Sequence, residues 1–197
     1  MIEPTGFEEG TTVWHPGNIT IKSRVNDEGA GIDTYTIKHS YNNTDATEKT
    51  TFDGTKPITS TEISTEISSL GSGEHKFQIT AVDNAGNENS NGSEISLLID
   101  ADAPTVGDIE ISPAKGVNNN GNWYSGNVVL KSTITDKGSG VASYNVYDST
   151  DGENFNELAT EQKLNKAEAT YETKGLAEGE HTIKITAKDN VGNEQSK

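Results

Sequence analysis

Five residues carry the oxygen chemistry that suits a hard cation: Asp100, Asp102, Asp136, Asp189 and Asn190. Calcium takes about six to eight oxygens, mostly carboxylates and carbonyls held on flexible loops. Asp100 and Asp102 flank Ala101 just ahead of Pro104, Asp136 opens Asp-Lys-Gly-Ser-Gly, and Asp189 and Asn190 open Asp-Asn-Val-Gly-Asn. The same residue types have a second use. Asp and Asn side chains hydrogen-bond their own backbone in tight turns, and Gly supplies the positive φ such turns need. Both uses stay open at this point. The recurrence of the two motifs at Asp27-Glu-Gly-Ala-Gly and Asp83-Asn-Ala-Gly-Asn, with no acidic linker ahead of that copy, favours the turn.

Trp14, Trp123 and Tyr124 could stack on sugar rings, or could pack at the start of a strand with a polar tip at the surface. His75 and His181 each begin an apolar alternating run. In sandwich folds that corner often carries a tyrosine whose hydroxyl ties the chain down, so a structural hydrogen bond is expected there rather than a metal ligand. His15 and His39 have no partner at ligand spacing. The chain has no cysteine, no Gly-x-Ser-x-Gly elbow and no phosphate-cradling glycine loop. Its carboxylates fall on polar loops, with no apolar pocket indicated to raise a pKa. The expectation is a protein that is not an enzyme and has no cofactor, with calcium the one alternative.

The elements that position these residues come from an internal repeat. Trp14 to Ile37 matches Trp123 to Val146 without gaps, identical at 9 of 24 positions. Leu70 to Asn87 matches Leu176 to Asn193 at 11 of 18. The offset drops from 109 to 106 between the blocks, so the first repeat has three extra residues in its middle. That middle, Ser40 to Pro57, is rich in Thr, Asn and Asp and reads as a variable surface excursion. Ile19, Ile21, Ser23 and Val25 alternate with polar residues, as do Phe77, Ile79 and Ala81, and their counterparts Ile183, Ile185 and Ala187. Short alternating runs between Gly/Asn/Asp turns predict an all-β chain of two tandem immunoglobulin-like β-sandwiches, 1–100 and 101–197. Asn156 to Thr173 is rich in helix formers but has no apolar stripe at helical spacing, so no helix is expected.

Ser93 to Ile99 reads as the last strand of the first repeat. Aligned on the 109 offset, that repeat lacks most of the first strand that Val106 to Ser112 gives the second. The second repeat in turn has no counterpart of Ser93 to Ile99, which predicts an open strand edge. The chain therefore reads as a window onto a longer array, with any export signal outside it.

Composition bounds the function. The net charge is −16, from 31 acidic against 15 basic residues, which argues against nucleic acid and anionic membrane surfaces. No run approaches the ~18 apolar residues of a membrane helix. Leu, Ile, Val and Phe make up 37 of 197 residues, a share low enough for disorder. Their concentration in alternating runs argues for strands that bury one face each.

Taken together, Ser112-Pro113, Trp123-Tyr124, Gly126, Asp136-x-Gly-Ser-Gly-Val141, Tyr144, Asp151-Gly152, Gly179-Glu-His181 and Asp189-Asn-x-Gly-Asn193 resemble the bacterial Ig-like repeats often labelled OmpL47-type. The first repeat departs in having His15 after its Trp and a longer middle. Asp100-Ala-Asp-Ala-Pro104 resembles the joints of large bacterial adhesins. The resemblance implies a secreted or cell-wall-associated Gram-positive surface protein, whose repeats are non-catalytic spacers with neighbouring repeats as partners. The alternative it carries is a module that binds a glycan or host protein, or serves a secreted glycosidase. In such a fold the linker and two loops of the second repeat meet at one end, which would gather Asp100, Asp102, Asp136, Asp189 and Asn190.

Overall fold

The computed structural model describes residues 13–58 and 60–197, with side chains outside 48–59. The expectation that the first repeat lacks most of its first strand concerns residues 1–12, which lie outside the described residues. Every regular element among the described residues is a strand, as the alternating runs predict. The chain divides into two compact units, Met1–Ala101 and Asp102–Lys197.

The first unit comprises β1 (Trp14–His15), β2 (Ile19–Asn26), β3 (Ile32–Tyr41), β4 (Thr47–Ile58), β5 (Ser60–Ile67), β6 (Gly73–Asp83) and β7 (Glu88–Ile99). One sheet runs β1-β7-β6-β3-β4 and the other pairs β2 with β5. Period-2 alternation sends one row of each strand inward. Ile21 on β2 and Ile63 and Ile67 on β5 meet Ile37, Phe77, Ile79, Leu97 and Ile99 from the larger sheet. The predicted excursion at Ser40–Pro57 is mostly strand. A short turn after Tyr41 leads into β4, which pairs antiparallel with β3 from His39↔Thr47 to Ile32↔Ile58. Backbone ladder bonds do not depend on side-chain polarity, so a Thr-rich edge strand forms where composition suggests a loop.

The second unit comprises β8 (Thr105–Val106), β9 (Glu110–Pro113), β10 (Asn119–Asn120), β11 (Trp123–Tyr124), β12 (Val128–Thr135), β13 (Val141–Ser149), β14 (Asn156–Gln162), β15 (Glu168–Glu172), β16 (Thr182–Asp189) and β17 (Glu194–Ser196). β12 takes β15 on one side and β8 and β9 on the other, facing a sheet of order β14-β13-β16-β17. The core is Leu130, Ile134, Tyr144, Val146, Ile185 and smaller neighbours. Where an open edge is expected, β17 covers β16 at Thr186–Lys188, and Ile185 and Lys197 exchange backbone hydrogen bonds. Both units are Ig-like sandwiches, with β4 joined to β3 in the first and β14 to β13 in the second.

Candidate functional site

Each unit ends in a pair of loops built the same way. In the loop before β3, Asp27 Oδ2 accepts from Gly29 N at 3.0 Å and Gly31 N at 2.7 Å. Before β13, Asp136 Oδ2 accepts from Gly138 N at 2.9 Å and Gly140 N at 2.7 Å. Gly31 and Gly140 sit at φ of 83° and 84°, a left-handed turn that glycine enters without strain. In the loop after β6, Asp83 Oδ1 accepts from Ala85 N and Asn87 N, and its Oδ2 from the Asn87 amide at 2.7 Å. The counterpart Asp189 is held by Val191 N, Gly192 N, Asn193 N and the Asn193 amide, at 2.6–2.9 Å.

The motif's second residue joins the two loops. Asn84 N donates to Gly31 O at 2.9 Å and its amide to Ala30 O at 3.1 Å. Asn190 N donates to Gly140 O at 3.0 Å, and its amide to Ser139 O and Gly140 O at 2.8 and 2.9 Å. So the Asp folds its own turn and the Asn fastens that turn to its neighbour. The Asn87 side-chain amide, then the turn N–H groups, holds the Asp83 carboxyl below the usual carboxylate range.

In the second unit, carboxylate oxygens of Asp136 and Asp189 come within 4.8 Å of each other. Most of those oxygens already accept N–H bonds. Asp102 is exposed at its side chain, while its carbonyl accepts from the Asn193 amide at 3.3 Å. Asp100 closes the first unit, buried, its N–H donating to His15 O at 2.8 Å.

The aromatic candidates separate. Trp14 is half-buried on β1, opposite Leu98 of β7. Trp123 is 74% exposed on the small β10–β11 hairpin, so packing at a strand start does not account for it. Tyr124, next along β11, packs against the core. Successive strand residues face opposite ways, so Trp123 and Tyr124 offer one accessible ring and not a joint platform.

The histidine corner takes the expected form and adds something the sequence hides. His75 Nε2 donates to Gly71 O at 2.8 Å, and His181 Nε2 to Ala177 O at 2.9 Å. The other ring nitrogen has a different partner in each unit. His75 Nδ1 meets His39 Nε2 at 2.8 Å, the rings stacked at 5.0 Å between centroids, with Phe77 beyond at 4.7 Å. His181 Nδ1 meets the Asp148 carboxylate at 2.9 and 3.0 Å. His39 and Asp148 are equivalent positions. They lie 109 residues apart, and they pair in register with the equivalent Phe77 and Ile183. His39, which lacks a partner at sequence spacing, gains one because β3 and β6 are neighbours. Only strand order could have revealed it.

No protein-family description matches the chain. No curated protein matches it either. Among solved structures it is similar to the crystal structure of chicken CNTN1 FN1-FN3 domains, at 12% identity and a TM-score of 0.35, over 93% of this chain and 60% of that one. The chain thus spans less than two thirds of that structure, and the likeness concerns the fold alone.

Proposed function

We propose that the chain is a pair of structural repeats from a secreted bacterial surface protein of the OmpL47-like kind, spacing an adhesive or catalytic head from the cell wall. The observation that carries this is the pairing of β1 with β7. They run parallel, Trp14 beside Leu98 and His15 beside Ile99, and Asp100 N adds a bond to His15 O. Tension applied through the chain pulls β1 and β7 in opposite directions along their length. Their bonds are then loaded together in shear and not opened one at a time. The Asp/Asn loop clasps tie together the two loops at one end of each sandwich. A strand the length of β2, 8 residues, spans about 25 Å at ~3.3 Å per residue, so length would grow with repeat number. The partners in this reading are neighbouring repeats of the same protein.

A second reading rests on Trp123. An indole this exposed, beside Asn119, Asn120 and Asn122, has the chemistry to stack on a sugar and hydrogen-bond its hydroxyls. A glycan and matrix-protein array probed with the whole chain separates the two. The spacer reading predicts no selective signal. A selective signal that Trp123→Ala abolishes would replace it with a binding module.

A further inference from the structure

We propose that the second unit has a docking site for one further strand. The edge of β16 at Thr182–Lys184, with β11 beside it, takes an extended segment of an adjoining repeat that carries apolar residues at alternate positions. The inference deepens the spacer reading and rests on it for the source of the strand. The first unit shows what such a site receives. There β7 lies between β6 and β1, and its ladder with β6 continues to Gly73↔Ile99. Leu97 and Ile99 are buried in the core, with Ile95 packed against it. On the other face Leu98 lies beside Trp14, which is half-buried.

The second unit repeats this frame without its filling. β16 matches β6 at the offset of 106, and β11 matches β1 at 109. β17 pairs with β16 at Thr186–Lys188, and Lys197 exchanges backbone bonds with Ile185. Among the described residues no strand pairs with β16 on that side at Thr182–Lys184. β17 is exposed throughout and gives no residue to the second core. Backbone alternation shows which groups face the open edge. In an antiparallel ladder every second residue turns both its N–H and its C=O to the same neighbour. Ile185 turns both to Lys197, so Ile183 turns its own pair to the same side. On β11, Ser125 N donates to Asn118 O, so Tyr124 turns its groups away from β10. Its equivalent in the first unit, His15, does the same, and its carbonyl accepts from Asp100 N at 2.8 Å. The side chains agree. Phe77 is fully buried where its equivalent Ile183 is half-buried, and Trp14 is half-buried where Trp123 is 74% exposed. In both pairs the second-unit residue is the more exposed on the side that β7 covers in the first.

An unpaired edge is a template for another strand. Strand addition draws affinity from backbone bonds and specificity from pockets for alternate side chains. The source follows from the first unit, where β7 is the segment that leads out of one sandwich, reaching Ile99 just ahead of the boundary after Ala101. Lys197 faces Ile185 as Ser93 faces Ile79, and Ile79 and Ile185 are equivalent. A segment like Glu94–Ile99 therefore runs from Lys184 back to Gly179. Its side chains at the places of Ile95, Leu97 and Ile99 extend the core over Ile183, and an apolar residue at the place of Leu98 lies against Trp123. Trp123 is on this account the cover of a strand and not a platform for sugar.

A peptide with the sequence of Glu94–Asp100, added to the whole chain, tests the site. With the peptide at about ten times its Kd, exchange of the Ile183 amide should slow about tenfold, while β6 is unchanged. In Trp14→Phe, which leaves Trp123 as the one tryptophan, emission should shift to the blue. A control peptide carrying Leu97→Asp and Ile99→Asp should do neither. The same segment joined directly after Lys197 makes the test independent of peptide affinity. Protection of Ile183 together with covering of Trp123, in the added or the joined form, supports the site. An Ile183 amide that exchanges in both forms as fast as in the unaltered chain would overturn it. Protection of Ile183 in the chain alone, rising with concentration as sedimentation shows a dimer, would replace the adjoining repeat with a second copy. None of these results touches the pairing of β1 with β7, so failure here is distinct from failure of the spacer reading.

Discussion

At the scale of single residues, the repeated Asp folds its own turn and the Asn after it fastens that turn to the neighbouring loop. Asp189 is 2% exposed and accepts four N–H bonds. Asp189→Ala would leave those donors unpaired where water has little access, and should cost about 2–3 kcal/mol, read as a lower denaturation midpoint. Because the bonds are internal to the turn, the unaltered chain should melt at the same temperature in EDTA and in calcium. A saturating rise selective for calcium over magnesium would instead give Asp136 and Asp189 a metal role. The turn chemistry was legible in the sequence because it is local: an Asp, its glycines and the amides it caps lie within five residues. The His39–His75 contact joins residues 36 apart through strand register and leaves no local trace. The exposure of Trp123 was hidden for the same reason, since a recurring Trp suggests recurring packing. Trp14 sits on a strand beside β7, whereas Trp123 sits on a hairpin of its own.

At the scale of elements, the alternating apolar runs placed β2, β6, β12 and β16, because a strand that buries one face must alternate. β4 escaped that logic. Its sequence is polar, and its pairing with β3 is a matter of backbone bonds. A second feature missing from the pattern is the irregularity where β6 meets β7, between Ile79 and Ala81. Gly92 lies against it so closely that a Cβ would overlap the Ile79 carbonyl. Gly92→Ala therefore forces the two strands apart and should cost at least about 2 kcal/mol, whereas Gly86→Ala meets open space and costs only the strain of its positive φ. Urea denaturation of the two variants side by side tests this ranking.

At the scale of the whole molecule, the tandem architecture was the most legible feature. Two blocks of identity at nearly constant spacing require the same unit twice, even in a chain whose apolar content borders on disorder. The mechanical role depends on something the repeat could not reveal, that β1, the first described strand of the first unit, lies parallel to β7, its last. Single-molecule pulling of the whole chain tests it directly. The account predicts separate unfolding steps for the two units, each releasing on the order of 300 Å at ~3.3–3.6 Å per residue. Asp100→Pro, which removes the N–H that bonds His15 O, should lower the force of the first unit's step and leave the other unchanged. First-unit unfolding at the same force in both proteins would contradict the shear clamp and the spacer role built on it.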